Sequence, residues 1–129
     1  MHGLEVRGAE RMLFVSGTMG LRPDFTAPAT LEEQLECVWN NLRAVLASAG
    51  MTVDNIVRLT SYLRDASYAE ANAQARIAAL GKRRIPTTAI VVQTLQSEAD
   101  RARNHRRRLK GIRPALTGVR ASCSARLHR

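Results

Sequence analysis

The sequence predicts an α+β fold in which two helices cover the same side of one sheet, giving two layers. Segments with the apolar spacing of strands and of helices alternate in the order β-β-α-β-α-β between residues 4 and 95. The chain has 129 residues, 45% of them hydrophobic, which is enough for one core and not for two. Its apolar runs are too short to cross a bilayer, so we expect no membrane association.

The first two strands are predicted to form a hairpin. Residues 4–6 and 12–16 are short apolar segments, and the link between them contains Gly8. Glycine and proline then interrupt the pattern, so residues 17–29 are predicted to form a loop.

The most clearly patterned element is a helix over residues 30–49. Thr30 and Glu33 have the spacing of a capping box, in which the hydroxyl and the carboxylate each accept a backbone N–H at the helix start. Gly50 suits the left-handed position just past a helix end, and Trp39 is expected in the core. One apolar stripe recurs at intervals of three and four residues: Leu31, Leu35, Val38, Leu42, Val45 and Ala49.

A strand and a second helix follow. Residues 56–63 alternate between apolar and polar side chains, as in a strand with one buried face. Residues 67–80 form the second predicted helix, capped by Asp65 or Ser67 and ended by Gly81.

The last predicted strand covers residues 87–95. Residues 89–92 are all apolar, which favours burial on both faces. A sheet of this kind needs one more strand, but residues 99–129 hold only five residues from Val, Ile, Leu, Met and Phe. We therefore predict a domain over residues 1–98 whose final strand is missing or replaced.

The positive charge is confined to the end of the chain. Residues 1–98 contain ten Lys or Arg and ten Asp or Glu, whereas residues 99–129 contain ten Lys or Arg and one acid, Asp100. A segment so rich in charge and so poor in apolar residues is predicted to be disordered. Its arginines at 106–108 would bind nucleic acid only non-specifically, through phosphates, since no aromatic residue accompanies them to stack on bases.

Four groups of residues resemble the RidA (YjgF) family. Each group alone is a weak signal, but their order and spacing together are specific, and the resemblance extends over residues 2–98. The groups are Leu13-Phe14-Val15-Ser16-Gly17-Thr18, the helix end Ala49-Gly50-Met51, the junction Asp54-Asn55-Ile56-Val57 and the strand start Pro86-Thr87-Thr88-Ala89-Ile90-Val91-Val92.

The resemblance implies a chorismate-mutase-like fold and a homotrimer with ligand clefts between its subunits. It implies hydrolysis of reactive enamines and imines to keto acids and ammonia, as in 2-iminobutanoate and 2-iminopropanoate deaminases, with no cofactor. Two alternatives stay open. One is a trimer that binds a small imino or keto acid without turnover, and the other is an RNA-binding or ribonuclease-like protein, as some relatives have been described.

The N-terminus lacks the apolar segment of a signal peptide, so we expect a cytoplasmic protein.

The family's cleft suggests five ligand-binding residues: Ser16, Gly17, Asn72, Thr87 and Thr88. Ser16 could equally bond its own loop, and Asn72 could be an ordinary surface residue of the second helix. Active members have an arginine at the start of the penultimate strand that binds the substrate carboxylate through two hydrogen bonds, and the matching position here is Thr87. The glutamate of the family's last strand is missing too. We therefore expect impaired activity, and the sequence names no catalytic residue.

Other reactive residue types indicate no site. Arg84 and Arg83 lie three and four residues before Thr87 and would need a shifted turn to replace the arginine. Cys37 is expected in the core, and His2 is expected to have no role. The three histidines lack metal-ligand spacing, so we expect no metal.

A frameshift near Glu98 is our hypothesis for the missing strand. One allowed coding of residues 99–106, read with its first base removed, gives Leu-Ile-Glu-Leu-Glu-Thr-Ile-Ala. That is an alternating strand with the glutamate of the family's last strand. The alternative is a genuine basic tail. Resequencing the coding DNA distinguishes the two, because an in-frame reading that agrees with the mass of the natural protein would exclude the frameshift.

Overall fold

The computed structural model describes residues 3–93 and the backbone of residues 118–120. The strands form one sheet in the order β1-β4-β2-β3, which together with two helices is the predicted α+β arrangement. In chain order the elements are β1 (Gly17–Met19), α1 (Leu31–Ser48), a 3-10 turn (Val53–Asn55), β2 (Leu59–Leu63), a second 3-10 turn (Ala66–Tyr68), α2 (Ala69–Leu80), β3 (Thr87–Val91) and β4 (Gly118–Arg120).

The sheet places β1 and β3 at opposite edges. β2 and β3 are parallel, with Leu59 beside Thr87, and α2 lies in the crossover connection that a parallel pair needs. β4 is antiparallel to both of its neighbours, so that Val119 lies beside Thr18 on one side and Ser61 on the other. Among the described residues, β4 is the only ladder partner of β1 and links it to the rest of the sheet.

One expectation about the end of the chain is wrong. No strand is predicted in residues 99–129, yet the three residues of β4 form one. Ladder hydrogen bonds join backbone N–H and C=O groups, so a strand this short needs no alternating apolar pattern. The rest of the predicted disordered tail lies outside the described residues.

The predicted hairpin is also wrong. Residues 3–16 contain no strand, and β1 begins at Gly17, inside the segment predicted as a loop. The apolar pattern has another cause, since Leu13 and Val15 pack against the core without joining the sheet. The Arg11 guanidinium donates to the Ala49 carbonyl and ties the segment to the end of α1.

α1 begins and ends where the sequence predicts. The Thr30 hydroxyl accepts the N–H of Glu33 at 3.2 Å, and Gly50 adopts a φ of +69° just past the helix. The second half of the capping box differs from the prediction. The Glu33 carboxylate lies 3.7 Å from the Arg22 guanidinium instead of accepting the Thr30 N–H.

The core lies between α1, α2 and the helix-facing side of the sheet. Val45 of the predicted stripe is 37% exposed, and Leu46 takes its place in the core. Trp39 is buried as predicted, and β2 alternates as predicted, with every second residue buried. The core cluster also contains residues from the segment after α1, from β2, from the end of α2 and from the link between α2 and β3: Met51, Ile56, Leu59, Leu80 and Ile85.

Thr30→Ala should lower the free energy of unfolding by about 1 kcal/mol, because it removes the hydroxyl that caps α1. Urea denaturation followed by circular dichroism measures the change. Thr30→Ser keeps the hydroxyl and should retain most of the stability. A Thr30→Ala protein as stable as its parent would contradict the capping role.

α2 starts two residues later than predicted, after the second 3-10 turn. The Asp65 carboxylate accepts the Ser67 N–H at 2.8 Å, so Asp65 is the residue that caps this turn. Hydrogen bonds from the side chain and backbone of Ser67 hold the pKa of Asp65 below its ordinary value. Gly81 ends the helix at a φ of +59°, as expected for a glycine stop.

β3 is not buried on both faces, contrary to the prediction. It is the edge strand of the sheet, and all five of its residues are exposed, including Ile90 at 43% and Val91 at 56%. The apolar residues of β3 predicted that both faces of the strand are covered, but the described elements of this chain leave both faces accessible to solvent. An apolar edge of this kind is a surface on which another chain can pack.

Candidate functional site

A groove of about 520 Å³ runs along β1 and the segments that flank it. Its walls are mostly apolar, with Phe14 before β1 at 72% exposure and Phe25 in the following loop at 84%. Ser16 and Gly17, two of the five predicted ligand-binding residues, line the same groove. Exposed aromatic rings beside a hydroxyl suit a small molecule with one apolar and one polar end.

A tight loop after β1 shapes one wall of this groove. The Arg22 N–H donates to the Thr26 carbonyl at 2.9 Å, and the Phe25 N–H donates to the Arg22 carbonyl at 2.8 Å. The Asp24 carboxylate accepts the hydroxyl and the N–H of Thr26 at 2.6 and 2.9 Å. These hydrogen bonds hold the pKa of Asp24 below its ordinary value.

α1 anchors the start of the loop through Asn41. The side-chain amide of Asn41 donates to the carbonyls of Met19 and Leu21 at 3.1 and 2.9 Å. Gly20 between them is buried, and a Cβ at this position would lie 2.3 Å from the Gln34 carbonyl oxygen. Only glycine therefore allows the loop to approach α1 so closely.

Phe25 is held in an unfavourable backbone conformation. Its φ is +62°, and no other non-glycine residue in the described part of the chain has a positive φ. The left-handed region costs such a residue about 1–2 kcal/mol, and an exposed ring recovers little of this by packing. A strained and exposed aromatic residue points to a role in contacting something outside this chain.

Arg22 is the one cation among the described residues that line the groove. Its guanidinium lies 3.7 Å from the Glu33 carboxylate, and the two side chains are 47% and 53% exposed. An ion pair this long and this exposed is weak, so the guanidinium can exchange Glu33 for the carboxylate of a ligand. No aspartate, glutamate or histidine lines the described groove, which leaves it without a side chain suited to general acid–base chemistry.

Thr87 and Thr88 lie at the other edge of the sheet. The register with β2 places Thr87 on the helix-covered side, where its hydroxyl accepts a hydrogen bond from Arg76 Nη1 at 3.2 Å. Thr88 points to the opposite side of the sheet. Three strand spacings, about 14 Å, separate β1 from β3. Within one chain the fold therefore does not bring the two threonines together with Ser16 and Gly17.

Asn72 is buried, with 4% of its surface exposed. The alternative that it is an ordinary surface residue is therefore wrong. It precedes Arg76 by one helical turn, so both residues lie on the same face of α2. The side-chain amide of Asn72 makes no hydrogen bond to any described residue. A buried amide normally has a partner, so this one is available to a group outside the described residues.

Comparison with known proteins decides the family. The family model for endoribonuclease L-PSP matches residues 4–101. This chain belongs to that family. The RutC family protein YjgH of Escherichia coli (strain K12) is similar at 43% identity over 54 residues. That similarity spans 42% of this chain and 41% of the relative, so it covers less than half of either protein.

Solved structures agree with the family and with the predicted fold. The structure of protein YJGH has a TM-score of 0.68 and 25% identity, covering 91% of this chain and 78% of its own. RidA from the Antarctic bacterium Psychrobacter sp. PAMC 21119 has a TM-score of 0.66 and 20% identity, covering 95% of this chain and 85% of its own. The resemblance to the RidA (YjgF) family and its fold is thereby confirmed.

Two residues of the groove in this family member, Arg22 and Phe25, were not predicted from the sequence. A signal for the loop was present, because Pro23, Asp24 and Thr26 have the composition of a turn closed by an aspartate side chain. Nothing in the sequence indicated that the turn folds back beside Ser16. That contact depends on Asn41, which lies twenty residues further along the chain.

The remaining candidate residues form no site in the described part of the chain. Cys37 is half-buried, and His2 lies outside the described residues. Arg83 donates to the carbonyls of Val53 and Ile56 at 2.8 and 3.1 Å, so it is not available to replace the family's arginine. Within the described residues, no group of three metal-ligating side chains comes together. Neither described helix has the length and hydrophobicity of a membrane span.

Proposed function

We propose that this protein binds small 2-keto or 2-imino acids in the groove beside β1 and hydrolyses imines weakly or not at all. The observation that carries the proposal is the Arg22 guanidinium in a groove that also presents the Ser16 hydroxyl and two exposed phenylalanine rings. The ligand carboxylate would pair with Arg22, its keto or imino group would meet Ser16, and its alkyl chain would lie against Phe14 and Phe25. Membership of the family supports this class of ligand.

We expect weak hydrolysis of imines because of the residue types that line the groove and begin β3. The described lining provides no carboxylate or imidazole to activate water. The start of β3 presents Thr87 and Thr88, neither of which carries a charge. Arg83 is engaged by backbone carbonyls. Binding without efficient turnover is the activity that these residues support.

We propose that a second copy of the chain completes the site, within a homotrimer of the kind the resemblance implies. The two halves of the predicted site lie at opposite edges of the sheet, so they can meet only between copies. Both edges carry exposed apolar residues that another chain could cover: Met19 at 46%, Ile90 at 43% and Val91 at 56%. In that arrangement Thr88 of one copy would face the groove of the next.

Arg22→Gln should weaken the binding of 2-oxobutanoate about tenfold, because it removes a charge-assisted hydrogen bond to the carboxylate. Isothermal titration calorimetry on the whole chain measures the dissociation constant. Arg43→Gln is the matched control, since Arg43 lies on α1 and bonds only to Asn40 within the described residues. Equal affinity in the Arg22→Gln and parent proteins would overturn the proposed site.

Phe25→Gly should stabilise the protein by about 0.5–1 kcal/mol and at the same time weaken the binding of 2-oxobutanoate. Glycine adopts a φ of +62° without strain, but the aromatic wall is lost. Phe25→Ala is the matched control, because it removes the ring and keeps the backbone strain. We expect it to lose affinity without gaining stability in urea denaturation. A loss of stability in Phe25→Gly would show that the ring packs favourably.

The boundary near Glu98 and the frameshift remain part of this proposal. The family match ends at residue 101, three residues beyond Glu98, which supports a change in the sequence near that point. Residues 118–120 nevertheless join the sheet as β4. The RNA-binding alternative depends on the arginines of residues 99–129. No contact of the described residues favours it.

A further inference from the structure

We propose that a second groove, between the last turn of α2 and the start of β3, binds an organic anion with two negative charges, such as a phosphomonoester. The groove has a volume of about 430 Å³. It lies at the opposite edge of the sheet from the Ser16 groove, and the inference does not depend on imine chemistry. Among the described residues, its lining contains four cations and no acid: Arg76, Lys82, Arg83 and Arg84.

Two of the cations are fixed in place by the fold. Arg83 donates to two backbone carbonyls at 2.8 and 3.1 Å and ties the turn after α2 to the 3-10 turn before β2. Arg76 donates to the Thr87 hydroxyl at 3.2 Å. The Thr87 oxygen accepts in this bond and keeps its own hydrogen to donate. A site whose donors are already positioned loses less entropy when a ligand binds.

The positive charge of this groove has no acidic counterpart in the described chain. The ion pairs among residues 3–93 join Arg7 to Glu5 and Arg22 to Glu33, and none involves a cation of the groove. The carbonyl end of α2 contributes a partial negative charge of about one half, which favours cations there but balances only a fraction of them. An anionic ligand is the partner that would neutralise the rest.

The groove also has an apolar wall, which selects for an organic ligand over a bare ion. Ile77 is 54% exposed beside the cations, and Leu80 and Ile85 form the floor. Lys82 and Arg84 are exposed, so they can close over a bound dianion. A monocarboxylate would neutralise one of these charges and leave the others unpaired.

Calorimetry on the whole chain, at constant ionic strength, tests the proposal with three probes: inorganic phosphate, butyl phosphate and butyrate. We expect saturable binding that is tightest for butyl phosphate and weakest for butyrate. Arg84→Gln should weaken butyl phosphate binding about tenfold. Arg84 is exposed and makes no hydrogen bond or ion pair with the described residues, so this variant should fold. Arg76→Gln should give a similar loss and additionally removes the bond to Thr87.

Arg43→Gln on α1 is the matched control, because it removes the same charge outside the groove. It should leave the affinity for butyl phosphate unchanged. An equal loss in Arg43→Gln and Arg84→Gln would overturn the site and assign the binding to the net charge of +9. Absence of saturable phosphate binding would overturn it as well. A preference for inorganic phosphate over butyl phosphate would retain the anion site and overturn the role of the Ile77 wall.

Discussion

Turnover of 2-iminobutanoate by this protein should not exceed about 1% of the rate of a relative that carries the strand arginine. Thr87 and Thr88 cannot form a bidentate salt bridge with the substrate carboxylate. The loss of such a contact costs about 2–5 kcal/mol when it is buried. The groove beside β1 also presents no described acid or base to direct water. Trapping the unhydrolysed imine with semicarbazide measures the rate.

An arginine placed at each threonine in turn tests which of them faces the ligand: Thr87, the position that the resemblance matches to the family's arginine, or Thr88. Thr88→Arg should strengthen the binding of 2-oxobutanoate at least about tenfold, because Thr88 points to the side of the sheet away from the helices. Thr87→Arg is the matched control, since its side chain would meet the guanidinium of Arg76. Neither variant should reach the turnover of the relative without the glutamate of the family's last strand.

Two outcomes would contradict this account of the activity. Turnover by the parent protein at the rate of the arginine-bearing relative would show that the missing groups are supplied elsewhere. If that activity then disappeared in Arg84→Ala, an arginine of the turn after α2 would have taken over the carboxylate. Arg83 is the less suitable replacement, because its guanidinium is occupied by the carbonyls of Val53 and Ile56.

Local patterns predicted the helices well because the forces that form them act over a few residues. Thr30 and Gly50 delimit α1 through hydrogen bonds and backbone angles that depend on neighbours in the sequence. The alternation of β2 likewise predicted its buried side. The burial of Trp39 followed from its position beside the apolar stripe.

Strand pairing could not be predicted in the same way, because it depends on contacts between distant residues. β1 is a strand where its backbone meets β4, a hundred residues further along the chain. Neither segment has the alternation of apolar and polar residues that would predict a strand. The apolar residues Leu13 and Val15 pack on the core without a ladder, so their pattern predicted the wrong element. β3 was predicted to be buried from its apolar composition alone, which carries no information on whether a strand lies at the centre or at an edge of the sheet.

The candidate site was predictable at Ser16 and Gly17, which the family resemblance indicated and the groove contains. Arg22 and Phe25 could not be found in the same way, because their position depends on the tertiary contact between Asn41 and the carbonyls of Met19 and Leu21. The burial of Asn72 could not be predicted either, because the apolar positions of α2 are mostly alanine and do not define one buried face. Side chains that act through such contacts become apparent only when the fold is known.

Proline at the centre of β4 should destabilise the protein by about 3 kcal/mol, which is a large part of the stability of a small domain. Val119 pairs with Thr18 of β1 and Ser61 of β2, so Val119→Pro removes an N–H from the strand that joins them. Val119→Ala is the matched control, because it keeps the N–H and shortens the side chain. Urea denaturation of the two variants and the parent measures the difference.

Truncation after residue 98 should have a larger effect than Val119→Pro. Without β4, β1 loses its only described ladder partner and β2 exposes an edge, so we expect a chain that aggregates in light scattering. A chain ending at residue 120 keeps β4 and should behave like the parent. The frame-restored chain, with Leu-Ile-Glu-Leu-Glu-Thr-Ile-Ala after Glu98, offers an eight-residue strand for the same position and should be the most stable, as a soluble trimer.

If the chain truncated after residue 98 were as stable and monodisperse as the parent, β4 would contribute nothing. A stable trimer formed by the parent would support the proposed homotrimer. It would also show that residues 99–129 are compatible with assembly and that the frameshift hypothesis overstates the damage.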